Sequence, residues 1–193
     1  MGVRPIRAIL VACVSAGLLL AATALPAAAS VPATYVCTTN VTGPQTFKAS
    51  IHAVPSASSY KPGAAVSLSG FQVVLTIPSS LVSLVESFGI TSVSGVVTTF
   101  TVATTDAAPA SLNVAGKGFA VPTTKLPKVP SSVSVKFPAQ PATIKGWKAG
   151  TVPGTITFRT GQVVLTVSDN LGDTLPVICT PKPSALLASA RVV

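Results

Sequence analysis

Apolar and polar side chains alternate with a period of two along most of the chain beyond residue 30. That spacing turns one face of an extended strand toward a core and the other toward water. Tyr35, Cys37 and Thr39 alternate with Thr34, Val36 and Thr38. Phe47, Ala49, Ile51 and Ala53 form an apolar face opposite Lys48, Ser50 and His52. Val66 and Leu68 lead through Gly70 to Val73, Leu75 and Ile77, which predicts a long strand that bends at the glycine. Further strands are predicted at Val93–Thr104, Ser111–Val121, Ser132–Phe137, Thr151–Arg159, Gln162–Ser168 and Thr174–Thr180. Thr160-Gly161 reads as a tight hairpin, and Asp169-Asn170-Leu171-Gly172-Asp173 as a second turn. About nine short strands without a strand–helix–strand rhythm predict an all-β antiparallel sandwich.

Three segments depart from the alternation. After Pro78, Leu81, Leu84, Val85 and Phe88 fall at helical spacing, with Ser79 or Ser80 as the expected cap and Gly89 as the stop. This helix is expected to plug one end of the sandwich; a lid over an apolar cavity is the functional alternative. Thr123–Gly154 is rich in proline and lysine and predicts connections between sheets. Past Cys179, residues 181–193 alternate weakly, as an edge strand or a frayed tail would.

The N-terminus has a different grammar. Met1–Arg7 carries two arginines and no acid, Ala8–Leu25 is uncharged and apolar, and Pro26 precedes Ala27-Ala28-Ala29. This order is that of a secretory signal peptide, residues 1–29, cut after about Ala29. The small residues and the missing stop-transfer charges argue against a retained anchor. Leu10-Val11-Ala12-Cys13 has lipobox residue types, but only about five apolar residues precede it, too few for a signal core. Arg4 and Arg7 are not adjacent, against a twin-arginine route. Cleavage leaves one domain over residues 30–180 and the tail, with no span of the membrane. Two cysteines then remain, Cys37 and Cys179, and an even count after export reads as one disulfide. Free buried thiols are the alternative. A zinc site is disfavoured because one His and two distant Cys lack ligand spacing.

Few residues could carry chemistry. Beyond residue 29 there are one histidine and four acids, Glu86, Asp106, Asp169 and Asp173. No phosphate loop, Gly-x-Ser-x-Gly elbow or His-Glu-x-x-His is present. Asp169 and Asp173 read as turn formers rather than a paired catalytic or calcium site, and His52 as a surface histidine. An enzyme is therefore not expected, and no cofactor is implied. Sugar stacking would need exposed flat rings, for which only Tyr35, Tyr60 and Trp147 stand available. Asn40-Val41-Thr42 is a glycosylation sequon, relevant only in a eukaryotic host, and the Ala-rich signal looks bacterial.

Charge says more. The 13 Lys and Arg of the full chain include Arg4 and Arg7, so 11 face four acids after cleavage, a net of +7. Between Ala107 and Ser168 lie Lys117, Lys125, Lys128, Lys136, Lys145, Lys148 and Arg159, with no acid. Residues 30–106 are balanced, Lys48 and Lys61 against Glu86 and Asp106. A one-sided positive stretch attracts polyanions. Lys125, Lys128, Lys145 and Lys148 are the candidate polyanion-binding residues; simple solubilisation is the bland alternative. Nucleic acid is disfavoured by export and by the lack of interleaved aromatics. Leu126-Pro127-Lys128-Val129-Pro130 is neither a sorting sequence nor terminal, so no wall anchor is expected from it.

Tyr35-Val36-Cys37-Thr38, the proline-punctuated β-rich middle, and Cys179 near the end resemble a group of secreted actinobacterial proteins known as a domain of unknown function. The likeness covers most of residues 34–193. It implies an immunoglobulin-like sandwich, an extracellular or envelope-associated module and a Cys37–Cys179 bridge; it transfers no binding residues. The expected protein is thus a secreted, non-catalytic module binding an anionic cell-wall polymer or another envelope protein. A carrier holding an apolar ligand between the sheets is the rival reading.

Overall fold

A computed structural model describes residues 30–40, 43–116, 118–128 and 131–193. The predicted signal peptide with Cys13, two residues of the sequon, Lys117, and Val129-Pro130 lie outside the described residues. No helix among the described residues is long and apolar enough to cross a membrane.

Among the described residues the protein is all-β with one short helix. Its strands are β1 (Val31–Thr39), β2 (Gln45–Pro55), β3 (Ser59–Tyr60), β4 (Ala65–Ile77), β5 (Ser92–Thr105), β6 (Ala107–Ala108), β7 (Ser111–Asn113), β8 (Phe119–Lys125), β9 (Val133–Ala149), β10 (Gly154–Asp169), β11 (Thr174–Pro181) and β12 (Leu186–Val192). The helix α1 is Ser79–Ser87. One continuous ladder runs β3-β12-β10-β11-β1-β2-β4-β9-β6, and β5 joins β10 to β7 and β8. Its pairings are antiparallel apart from β12 with β3. The sheet curls until β8 lies alongside β9, so the two long flanks face each other.

The alternation read from sequence explains which side is filled. In β1, Ala33, Tyr35 and Cys37 point inward; in β10, Ile156, Phe158, Val163 and Leu165 do. Phe71 of β4 meets Phe100 of β5 edge-on at 5.2 Å, and Trp147 of β9 meets Phe158 of β10 at 5.3 Å. These contacts join strands that share no ladder, which makes the arrangement two-layered. The apolar space left between the layers, beside Tyr35, Phe100 and Leu165, is about 20 Å³. That is room for about one water, too little at this place for an apolar ligand.

Several expectations need correcting. The described residues form twelve strands rather than about nine, and the longest run to 16 and 17 residues. Thr160-Gly161 is not a hairpin: β10 runs straight through it, with a bulge against β5 between Thr160 and Val163. The reason is crowding. A Cβ on Gly161 would overlap Thr101 Oγ1, so the glycine serves close approach inside a strand. Thr123–Gly154 holds more strand than the Ser132–Phe137 expected within it, because it contains β9, Val133–Ala149, the longest strand among the described residues. Pro138 and Pro141 are tolerated at an irregularity of β9: Val73 pairs with Phe137 and Phe71 with Ala142, which leaves four β9 residues opposite Gln72 alone. Ser111–Val121 is two strands, broken by the turn at Val114–Gly116. The bend at Gly70 is found as predicted, with positive φ and a register shift against β2.

The helix is where predicted but differs in detail. Pro78 is its N-cap, with no side-chain capping bond. Val82 is its buried residue, whereas Leu84 and Phe88 are 44% and 68% exposed. Val82 and Val85 instead pack on a second apolar cluster with Ile77, Val93, Leu126 and Val133. Asn170 ties this end to the hairpin, its Oδ1 accepting from Thr91 N–H at 2.7 Å and Ser92 N–H at 3.2 Å.

Candidate anion-binding face

The Cys37–Cys179 disulfide is formed, with an S–S distance of 2.03 Å. The two residues are direct partners in the β1–β11 ladder, and Cys179 also pairs with Val163 of β10. Both are buried. The bond therefore closes the sheet in its interior, between an early and a late strand.

The opposite, solvent side of β2, β4 and β9 carries the polar half of the alternation. Lys48 lies on β2 across from Thr76, and Thr76 lies across from Ser134 of β9. Lys136 faces Val74, Lys145 faces Ser67, and Lys148 faces Ala65. A register shift between Val66 and Ser67 makes Gly146 an extra residue, so Lys145 and Lys148 both point outward on either side of buried Trp147. All four lysines are exposed. None of the four acids is on β2, β4 or β9: Glu86 is on α1, Asp106 lies between β5 and β6, and Asp169 and Asp173 flank the hairpin. Among the described residues, none of these lysines is paired with a carboxylate. The remainder of the face is hydroxyl-rich, with Thr46, Ser50, Ser67, Thr76 and Ser134.

The four lysines chosen from sequence fall into two groups. Lys145 and Lys148 sit two β4 residues apart, about 7 Å at strand rise. Lys125 pairs with Ser92 at the α1 end, and Lys128 follows just past Leu126. Seven β4 residues already separate the partners of Lys136 and Lys145, about 23 Å. That exceeds the ~8 Å screening length at physiological salt, so no small anion meets both ends and only an extended polymer would touch Lys136 and Lys145 together. Lys125 and Lys128 also share their end with Glu86, Asp169 and Asp173, which lowers the net positive charge there. Lys48 and Lys136 were missed as site residues because the search followed charge along the chain. The polar-face alternation of β2 and β9 was the signal that could have found them.

Other candidate chemistry is placed as follows. His52 pairs with Gln72 in mid-sheet, its ring against Gly70, on different elements from all four acids. Asp169 Oδ1 accepts from the backbone N–H of Leu171 at 2.8 Å and of Asp173 at 3.0 Å, the work of a turn former. No group of three or more His, Cys, Asp or Glu that could hold a metal occurs among the described residues. Tyr35, Tyr60 and Trp147 are all buried, so the sugar-stacking rings are not presented; Phe88 is the exposed aromatic. Burial drives the Tyr35 phenol well above its ordinary value. Thr160 offsets this slightly, but the phenol makes no hydrogen bond of good geometry with it. The Thr160 hydroxyl instead accepts from Ala185 N–H at 2.8 Å.

Neither the curated proteins nor the solved structures give a match to this chain. A family profile does match, over residues 34–184, the span that holds the disulfide, both long flanks and the whole lysine face. By that match the chain belongs to the family of unknown function designated DUF6801.

Proposed function

We propose that the protein is a secreted, non-catalytic envelope module whose β2–β4–β9 face binds an anionic cell-wall polymer. The observation that carries this reading is the face itself: Lys48, Lys136, Lys145 and Lys148 on three adjacent strands, with every acid elsewhere. The signal-like N-terminus, the buried disulfide and the lack of a described membrane-spanning helix are compatible with export. The aromatic-poor surface favours a charged polymer over a neutral sugar, since no exposed ring stands on it.

Retention on purified cell walls, measured against salt, tests the reading. Lysine–polymer contacts in water weaken with screening, so retention should fall steeply from 50 to 500 mM salt. Lys136→Glu/Lys145→Glu/Lys148→Glu should abolish it, whereas Lys125→Glu/Lys128→Glu should change it by less than about twofold. Retention that ignores both salt and the first variant would refute the reading.

A further inference from the structure

One end of this face is concave. Thr46, Lys48, Thr76, Pro78, Ser79 and Ser132 line a groove of about 310 Å³ where β2 and β4 meet the start of α1 and the segment leading into β9. We propose that this groove seats one phosphate-bearing repeat unit, a polyol or sugar phosphate, of the polymer that the face binds; the inference rests on the function proposed above.

Three features select that chemistry. First, the sole charge in the lining is the Lys48 ammonium, and no acid adjoins it on β2 or β4. Second, four hydroxyl residues, Thr46, Thr76, Ser79 and Ser132, come from four separate segments to the same place. Hydroxyls and an ammonium together offer more donors than the two oxygens of a carboxylate can accept, whereas a phosphate ester presents three or four acceptor oxygens. Third, the groove is far larger than a bare anion needs, and its walls are more carbon than polar, Pro78 among them. A polyol or sugar carbon skeleton attached to the phosphate would cover such walls. The groove also continues the row Lys48, Thr76, Ser134 onto the open face, so a chain leaving it would run toward Lys136.

Titration of the isotope-labelled full domain with glycerol phosphate at low salt tests this, with inorganic phosphate, acetate and glycerol as comparison probes. Shifts should concentrate at Thr46, Lys48, Thr76, Ser79 and Ser132, and glycerol phosphate should bind more tightly than inorganic phosphate. Lys48→Met should weaken glycerol phosphate at least tenfold, while Lys61→Met, outside the face and the groove, leaves it unchanged. Scattered shifts, equal binding to Lys48→Met, or acetate binding as tightly as the phosphate ester would each overturn the assignment. If wall retention still depends on Lys136, Lys145 and Lys148, the face reading survives that loss. If retention ignores those three lysines while glycerol phosphate fills the groove, the polymer reading falls and the groove remains a phosphate-ester site.

Discussion

Replacing Gly161 by alanine, alone and together with Thr101→Ala, separates two descriptions of β10. In a tight hairpin turn, Gly→Ala would also destabilise, through the positive φ that the turn requires, but Thr101→Ala would recover none of that loss. Inside the strand, the added Cβ meets Thr101: it overlaps Oγ1, lies 3.0 Å from the carbonyl oxygen and 3.1 Å from Cβ. Two of those three atoms belong to the backbone or the root of the side chain and cannot swing away. Such overpacking costs about 1–3 kcal/mol, so the net expectation is a loss of about 1–2 kcal/mol. For a domain of this size that lowers Tm by roughly 2–8 °C. The assay is urea unfolding with the disulfide intact, reading a lower midpoint at unchanged slope. Thr101→Ala in the same chain should recover part of the loss, because it removes Oγ1, although it also forfeits the bond from Oγ1 to Gln162 O at 3.2 Å. A Gly161→Ala protein as stable as the parent, or more so, would refute the bulge account.

Other substitutions probe other parts. Removing the bridge with Cys37→Ala/Cys179→Ala should cost up to about 5 kcal/mol, since the cross-link spans 142 residues; reduction of the parent should give a comparable drop in midpoint. Tyr35→Phe should stabilise by about 1 kcal/mol, because a buried hydroxyl without a good partner is removed. The same variant has a pH signature. The folded phenol titrates above its unfolded value, so its contribution is present below about pH 10 and is lost as pH rises beyond it, where only the unfolded chain ionises. The gap between Tyr35→Phe and the parent should therefore widen above pH 10; a constant gap would contradict it. Asn170→Ala should cost about 1 kcal/mol and speed amide exchange at Thr91 and Ser92, which lose their shared acceptor.

Strand faces were legible because burial acts on every second residue. Tyr35 and Cys37 on β1, and Val163 and Leu165 on β10, point inward as their spacing implies, and that common face placed the two cysteines within bonding reach. Strand ends were less legible. Gly161 and Pro138 carry breaker signals, yet β10 and β9 continue through both, because a bulge absorbs an extra residue without ending the ladder. The helix existed as read, but its packing partner did not follow from its own spacing: Val82 is buried by Leu126 and Val133, from a distant segment. The lysine face was only half legible. Lys145 and Lys148 stood out by local density, whereas Lys48 joins them through the β2–β4–β9 ladders, a tertiary fact.

The bridge between β1 and β11 has a mechanical meaning. Tension applied at the two ends of the domain passes along residues 30–37, crosses the sulfurs and leaves along residues 179–193. Everything from Thr38 to Ile178, the lysine face and its groove included, lies outside that load path. Between Ser30 and Val193 only these eight and fifteen residues can be drawn out, about 80 Å at full extension. The first structure to yield would be β12, sheared from β10, while the remainder of the sheet stays folded under load. A polymer held on the β2–β4–β9 face would then be gripped by a part of the protein that a pull on its termini does not reach.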